Sequence, residues 1–215
     1  MLLASQRQTI ARHAQRLRPD GLVVGVAGNI SARAGEHVAI TPRGLDYDEL
    51  TPEIVAVVEL EGGAVEGEFA PSTELPMHLA IYRRTGAQAI VHTHAPYATA
   101  LSMVLDEIPP VHYLLAELGG PVRTAPYATP GSEQLAAYVE RALEGRSAAL
   151  LQSHGTIAIG ETVERAYART LILESIAAAY HRARMVGEPR LLSAAELDRV
   201  AEGLREYPMG EGAPA

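Results

Sequence analysis

Residues 89–94, Ala-Ile-Val-His-Thr-His, are the stretch around which the rest of the chain is read. Ala89 to Thr93 is apolar and rich in β-branched residues, which predicts a strand with His92 and His94 at its end. In a strand, residues i and i+2 point to one face about 6.6 Å apart. Two imidazoles so placed can converge on one ion, with zinc–nitrogen bonds of about 2.0–2.1 Å. A third histidine, His154, follows another strand candidate, Ala148 to Gln152, and precedes a glycine that permits a tight turn. If both strands finish at one edge of the sheet, three histidines meet there, and three protein ligands with one open position is the usual plan of catalytic zinc. The bare spacing also fits a chance pairing among the eight histidines, each satisfied by local backbone.

Outward from this stretch, the pattern alternates. Leu2, Leu3, Ile10, Ala14 and Leu17 mark an amphipathic helix ended by Pro19-Asp20-Gly21. Leu22 to Ala27, His37 to Ile40 and Val55 to Leu60 are strand candidates. Helices are expected over about Leu75 to Arg84, from Pro96 towards Met103, from Ser132 through Leu143, and from Thr162 to Met185 with Gly187 closing it. Thr156 to Ile159 is a further apolar run, and Ser193-Ala194-Ala195-Glu196 is a capping box for a last helix ending by Pro208. The expectation is one α/β domain over residues 1–208 with a frayed tail at 209–215; alternation by itself leans towards a parallel sheet.

Composition narrows the chemistry. A net charge of -8 argues against nucleic-acid or anionic-membrane partners, which need a basic face. Cysteine is absent, which removes thiolate nucleophiles and Cys-ligated metals. Lysine is absent too, all 18 basic residues being arginine. Carbon–carbon chemistry beside a carbonyl needs an electron sink, commonly a lysine imine or a metal ion. Without lysine the metal route remains, unless an organic cofactor is present. Neither a membrane span of about 20 apolar residues nor a signal peptide is legible, so a cytoplasmic protein is expected.

Glu74, in Pro71-Ser72-Thr73-Glu74, stands at a predicted helix start. It reads either as a carboxylate favouring the helix dipole or as a base tuned by a nearby metal. Gly28-Asn29-Ile30-Ser31, Thr41-Pro42-Arg43-Gly44 and Ser72-Thr73 offer small residues, free N–H groups and hydroxyls that can cradle a phosphate without lysine. Ordinary turns have the same composition. His13, His37, His78 and His181 read as surface or helix-face residues without a role.

Together, the segments GNIS (28–31), TPRG (41–44), PSTE (71–74), VHTHAPYATALS (91–102), VHYLLAELGG (111–120), APYATPG (125–131) and LLQSHGTIAIG (150–160) resemble the class II aldolase/adducin family, most closely its L-fuculose-1-phosphate aldolase branch. The resemblance implies zinc held by His92, His94 and His154, with Glu74 as the base and as a further ligand when substrate is absent. It implies Tyr113 as a proton donor acting across a subunit boundary. A phosphate site would fall on Gly28, Asn29, Gly44, Ser72 and Thr73; beside it Arg43 offers a guanidinium that can pair bidentately with phosphate or with another anion such as a carboxylate. It further implies a nine-stranded, mainly antiparallel sheet flanked by helices, a four-fold homotetramer, and cleavage of a ketose 1-phosphate to dihydroxyacetone phosphate and an aldehyde.

Two positions depart from the family. Arg43 stands where Ser or Thr is frequent, and Pro130 stands where the fuculose enzyme carries an aromatic residue on the aldehyde side. Tyr207 is a candidate for a C-terminal tyrosine of the family. The same zinc site is also compatible with pentulose-phosphate 4-epimerisation, dehydration or decarboxylation. A non-catalytic adducin-like interaction module need not keep the histidines and Glu74 that this chain retains.

Overall fold

The computed structural model describes residues 1–206. Its strands are β1 (Asn29–Ala34), β2 (His37–Ile40), β3 (Ala56–Glu59), β4 (Ala64–Glu66), β5 (Ala89–Thr93), β6 (Glu107–Ile108), β7 (Val122–Ala125), β8 (Ala148–Leu151) and β9 (Gly155–Gly160). Its helices are α1 (Ala4–Leu17), α2 (Leu75–Arg84), α3 (Pro96–Ser102), α4 (Glu133–Ala142), α5 (Val163–Val186) and α6 (Ala194–Glu206). A 3-10 helix covers Tyr113–Leu118. Pro208, Tyr207 and the tail expected at 209–215 lie outside the described residues.

The nine strands form one sheet in the order β4-β3-β2-β1-β5-β9-β8-β7-β6. Every pair is antiparallel except β7 with β8. The parallel sheet suggested by alternation is therefore replaced by the mainly antiparallel one that the family resemblance implied. Only α4 stands in a crossover between parallel neighbours, β7 and β8; α2 and α3 join strands that are not neighbours in the sheet.

Both faces of the sheet are covered. Ile30, Ala32, Val57, Ala89 and Val91 pack beneath α1 and the start of α5. Val38, Val58, Ile90, Ala149 and Ile157 pack against α2 and α4 on the other face. Ala148, Leu150 and Ala158 meet α3, the later part of α5 and α6. All five residues of β5 are buried. A strand covered on both faces reads as a continuous apolar run, and burying one Ile or Val side chain contributes about 1.5–3 kcal/mol. Three helices have hydroxyl caps: Ser132, Thr162 and Ser193 accept from the N–H of Leu135, Arg165 and Glu196; the α2 start has no side-chain cap.

Composition misplaces the first strand. Leu22 to Ala27 is turn and loop, with Val24 and Val26 exposed, and the strand starts at Asn29. The apolar residues of β1, Ile30 and Ala32, face α1 and α5, whereas Asn29 and Ser31 alternate with them yet are buried too. Antiparallel register sets Asn29 opposite His92 and Thr93 opposite Thr156. The start of β1, the end of β5 and the start of β9 therefore share one edge of the central sheet.

Candidate metal centre

At that edge His92 leaves β5 with its ring wholly buried, and its Nδ1–H donates to the Thr156 carbonyl at 2.7 Å. This bond fixes the ring and turns Nε2 inward, the outer support typical of a ligating histidine. His94 stands one step beyond the strand, where α3 begins. Glu174 of α5 accepts the N–H groups of Tyr97 and Ala98 at 2.9 Å each, holding the turn that follows His94. His154 ends the β8–β9 turn, whose Ser153 adopts a left-handed φ of 55°. The three rings meet edge to face, with centroids 4.9–5.0 Å apart.

Glu74 completes the group from the N-terminal end of α2. Its side chain caps no helix N–H. It turns into the site instead, with Oε2 2.9 Å from His92 Nε2 and Oε1 3.3 Å from His154 Nε2. One ligand atom from each of Glu74, His92, His94 and His154 lies within 4.8 Å of the others.

Two glycines make this approach possible. A Cβ on Gly155 would stand 2.2 Å from the Thr93 carbonyl oxygen and 3.0 Å from the His94 ring. Gly28 has φ +84°, and a Cβ there would meet the His92 carbonyl oxygen at 2.7 Å.

The donor set fits a divalent ion. His92 Nε2 and His94 Nε2 converge to 3.1 Å, and Glu74 Oε1 is buried without a hydrogen-bond partner. Burial disfavours a charged Glu74, but the facing His92 and His154 rings and the Asn29 amide outweigh it and hold the carboxyl well below its ordinary range. Burial, with the charge of a protonated His92, pushes His94 and His154 down to about 4. His92 is disfavoured as a cation by burial, yet the Glu74 carboxylate raises it. An ionised carboxylate and bare imidazole nitrogens crowded together call for a cation between them. The expected result on purified protein is about one divalent ion per chain, removed by a chelator and restored by zinc, measured by elemental analysis. Less than about a tenth of an ion per chain after zinc loading would refute the centre.

A cleft of about 260 Å³ opens over these residues. Gly28, Asn29, Arg43, Gly44, Ser72 and Thr73 all line it, beside Glu74, His94, His154, Val26 and Pro130. The loops carrying Arg43 and Ser72 are tied together: Arg43 N–H donates to Ala70 and Ser72 N–H to Thr41. Asn29 faces the cleft with its amide already engaged, donating to Glu74 Oε2 at 3.0 Å and facing His78 at 2.5 Å. Tyr113 is not among the lining residues; it is half exposed and stacks on His112.

His78 corrects the sequence reading: it is fully buried, one residue removed from Glu74 through Asn29. Burial and the neighbouring His92 push it down to about 3, so its ring is neutral. His13 is also buried, its Nδ1 on the Thr9 carbonyl and its ring edge-on to Tyr167. Glu174 is a further residue that sequence reasoning misses. A helical signal for His78 is present: Glu74, His78 and Tyr82 recur at four-residue intervals and share one helix face.

Comparison with known proteins agrees with the geometry. The family model of the class II aldolase and adducin N-terminal domain matches residues 8–181. The chain belongs to the class II aldolase family. This class II aldolase-family chain is an enzyme of the lyase class, since its curated relatives are aldolases. It is 40% identical over 210 residues to 5-deoxy-D-ribulose 1-phosphate aldolase of Bacillus thuringiensis serovar kurstaki, covering 96% of this chain and 99% of that protein. It is 38% identical over 190 residues to L-fuculose phosphate aldolase of Escherichia coli K12, covering 87% of this chain and 88% of that one. A solved L-fuculose 1-phosphate aldolase superposes with TM-score 0.92 at 35% identity, covering 95% of this chain and 98% of the other. Among the described residues of this aldolase-family chain, no helix is long and apolar enough to cross a membrane.

Proposed function

We propose that this protein catalyses the reversible cleavage of a ketose 1-phosphate to dihydroxyacetone phosphate and an aldehyde. The observation that carries the reading is the meeting of Glu74, His92, His94 and His154 beneath a cleft edged by hydroxyls, glycines and Arg43. The three histidines would hold a divalent ion, zinc in this reading, which would supply the positive charge that stabilises electrons left when the carbon–carbon bond breaks. Arg43, with Asn29, the Ser72 and Thr73 hydroxyls and the backbone of Gly28 and Gly44, would seat the phosphate. In the condensing direction Glu74 takes a proton from the hydroxymethyl carbon of dihydroxyacetone phosphate. Tyr113 of a neighbouring subunit in a homotetramer gives a proton to the aldehyde oxygen as it becomes a hydroxyl, and its exposed position suits that role. Cleavage runs both transfers backwards.

Val26 and Pro130 put apolar groups in the cleft lining, which suits an aldehyde half ending in a deoxy carbon. The relatives named for 5-deoxyribulose 1-phosphate support the same choice. The test is to incubate the zinc-loaded protein with 5-deoxyribulose 1-phosphate and L-fuculose 1-phosphate. Equal amounts of dihydroxyacetone phosphate and aldehyde are expected; an isomerised or dehydrated product with no aldehyde would overturn the reading in favour of epimerase or dehydratase chemistry. Borohydride added during turnover should trap no adduct inside the chain, because the sequence has no lysine to form an imine. A substrate-dependent mass increase on an internal peptide would contradict this.

A further inference from the structure

Beneath the metal centre a set of polar groups is buried on the α2 face of the sheet. Tyr82 is 1% exposed, Ser31 and His78 are fully buried, and Asn29 is 3% exposed. They are joined in series: Tyr82 Oη to Ser31 Oγ at 2.7 Å, Ser31 Oγ to His78 Nδ1 at 2.7 Å, His78 Nε2 to Asn29 Oδ1 at 2.5 Å, and Asn29 Nδ2 to Glu74 Oε2 at 3.0 Å.

The chemistry of each group fixes the direction of each bond. Asn29 presents its NH₂ to Glu74 Oε2 and its carbonyl to His78. That carbonyl only accepts, so the proton of the neutral His78 ring sits on Nε2. Nδ1 is then a bare acceptor, and Ser31 gives it its single hydroxyl proton. Ser31 can therefore only accept from Tyr82, which donates. All four bonds point the same way, towards the carboxylate, and such aligned bonds strengthen one another in a medium without water.

We infer that Tyr82, Ser31 and His78 form a one-way hydrogen-bonded chain that, through Asn29, fixes Glu74 by its Oε2 and leaves Oε1 as its working oxygen. Oε1 has no hydrogen-bond partner and faces only His154 Nε2, at 3.3 Å, whereas Oε2 accepts from Asn29 and faces His92 Nε2. The chain orients the carboxylate and does not conduct protons, because an amide N–H does not give up its proton under these conditions. A proton taken by Glu74 must leave through the cleft. His78 and Tyr82 are thus positioning residues for this site. The inference that Oε1 does the work rests on the proposed role of Glu74 as base.

The test uses zinc-loaded full-length protein and two kinds of readout. The first is nitrogen NMR of histidine-labelled protein at neutral pH, with the His78 signal assigned by its loss in His78→Gln. A neutral ring protonated at Nε2 is expected; protonation at Nδ1, or a cationic ring, would overturn the chain. The second is exchange of the hydroxymethyl-carbon proton of dihydroxyacetone phosphate in deuterated water. His78→Leu should slow exchange about 10-fold or more and Tyr82→Phe about 3-fold, with metal content and KM held. His78→Gln, which restores an N–H towards Asn29, should recover part of the loss. If His78→Leu does not fold, Tyr82→Phe and the ring tautomer decide. Wild-type exchange in Tyr82→Phe and His78→Gln, with Glu74→Gln inactive, would overturn the chain and spare the base. Full exchange in Glu74→Gln would overturn the base and the working role of Oε1, leaving the tautomer to judge the chain.

Discussion

Glu74→Gln should slow proton exchange at the hydroxymethyl carbon of dihydroxyacetone phosphate by about 10²–10⁴-fold, the usual contribution of a positioned general base. The substitution keeps the length of the side chain and an oxygen that can accept from Asn29, so the fold and the histidine ligands should persist. Metal content should stay near one per chain. A carboxylate that merely favoured the helix dipole would cost about 0.3–1 kcal/mol of stability when neutralised and would leave turnover intact. The geometry speaks against that role, since the side chain caps no N–H of α2 and faces His92 and His154. Following exchange in deuterated water separates this step from aldehyde binding, and exchange at the wild-type rate would show that another group takes the proton.

Gly155→Ala should abolish metal retention and lower stability by about 3 kcal/mol or more, because overpacking against backbone has no easy relief. The added methyl would stand 2.2 Å from the Thr93 carbonyl oxygen, between β5, which carries His92, and β9, which His154 immediately precedes. To make room, β9 must move from β5, and the ligands it aligns move with it. For a chain of this size the melting temperature should fall by roughly 6–12 °C. Gly44→Ala is the control: it lines the same cleft at φ +68° with nothing within 4 Å of the new atom. It should cost about 1–2 kcal/mol from backbone strain alone and keep its metal. Full metal content and unchanged melting in Gly155→Ala would show that the strands tolerate separation.

What the sequence reveals, and what it hides, follows from where local rules and the site agree. β5, β8 and β9 are legible because both their faces are largely apolar, and α4, α5 and α6 carry hydroxyl caps, α5 with a closing glycine. β1 is hidden because half its buried residues are the polar Asn29 and Ser31, which belong to the centre's hydrogen bonds. The more apolar Leu22 to Ala27 draws the assignment instead. β4 and β6, of three and two residues, are too short to leave a period. The histidine set is legible as a possibility from H-x-H, but its convergence with Glu74 depends on register between β1, β5 and β9, which no local pattern encodes. His78 escapes notice because a lone histidine on an apolar helix face is ordinary, and only its spacing from Glu74 and Tyr82 distinguishes it.

The position of β9 in the sheet, between β5 and β8, also constrains how the protein is born. As the chain leaves the ribosome, β5 is made some sixty residues before its second neighbour. Until residues 155–160 arrive, the apolar strand 89–93 offers a bare row of N–H and C=O groups to any passing chain, the kind of edge that seeds aggregation. His154 is delivered immediately ahead of that strand. The step that covers this apolar edge is therefore also the step that brings in the last candidate ligand, so an ion seated among all three histidines reports that β9 has closed on β5.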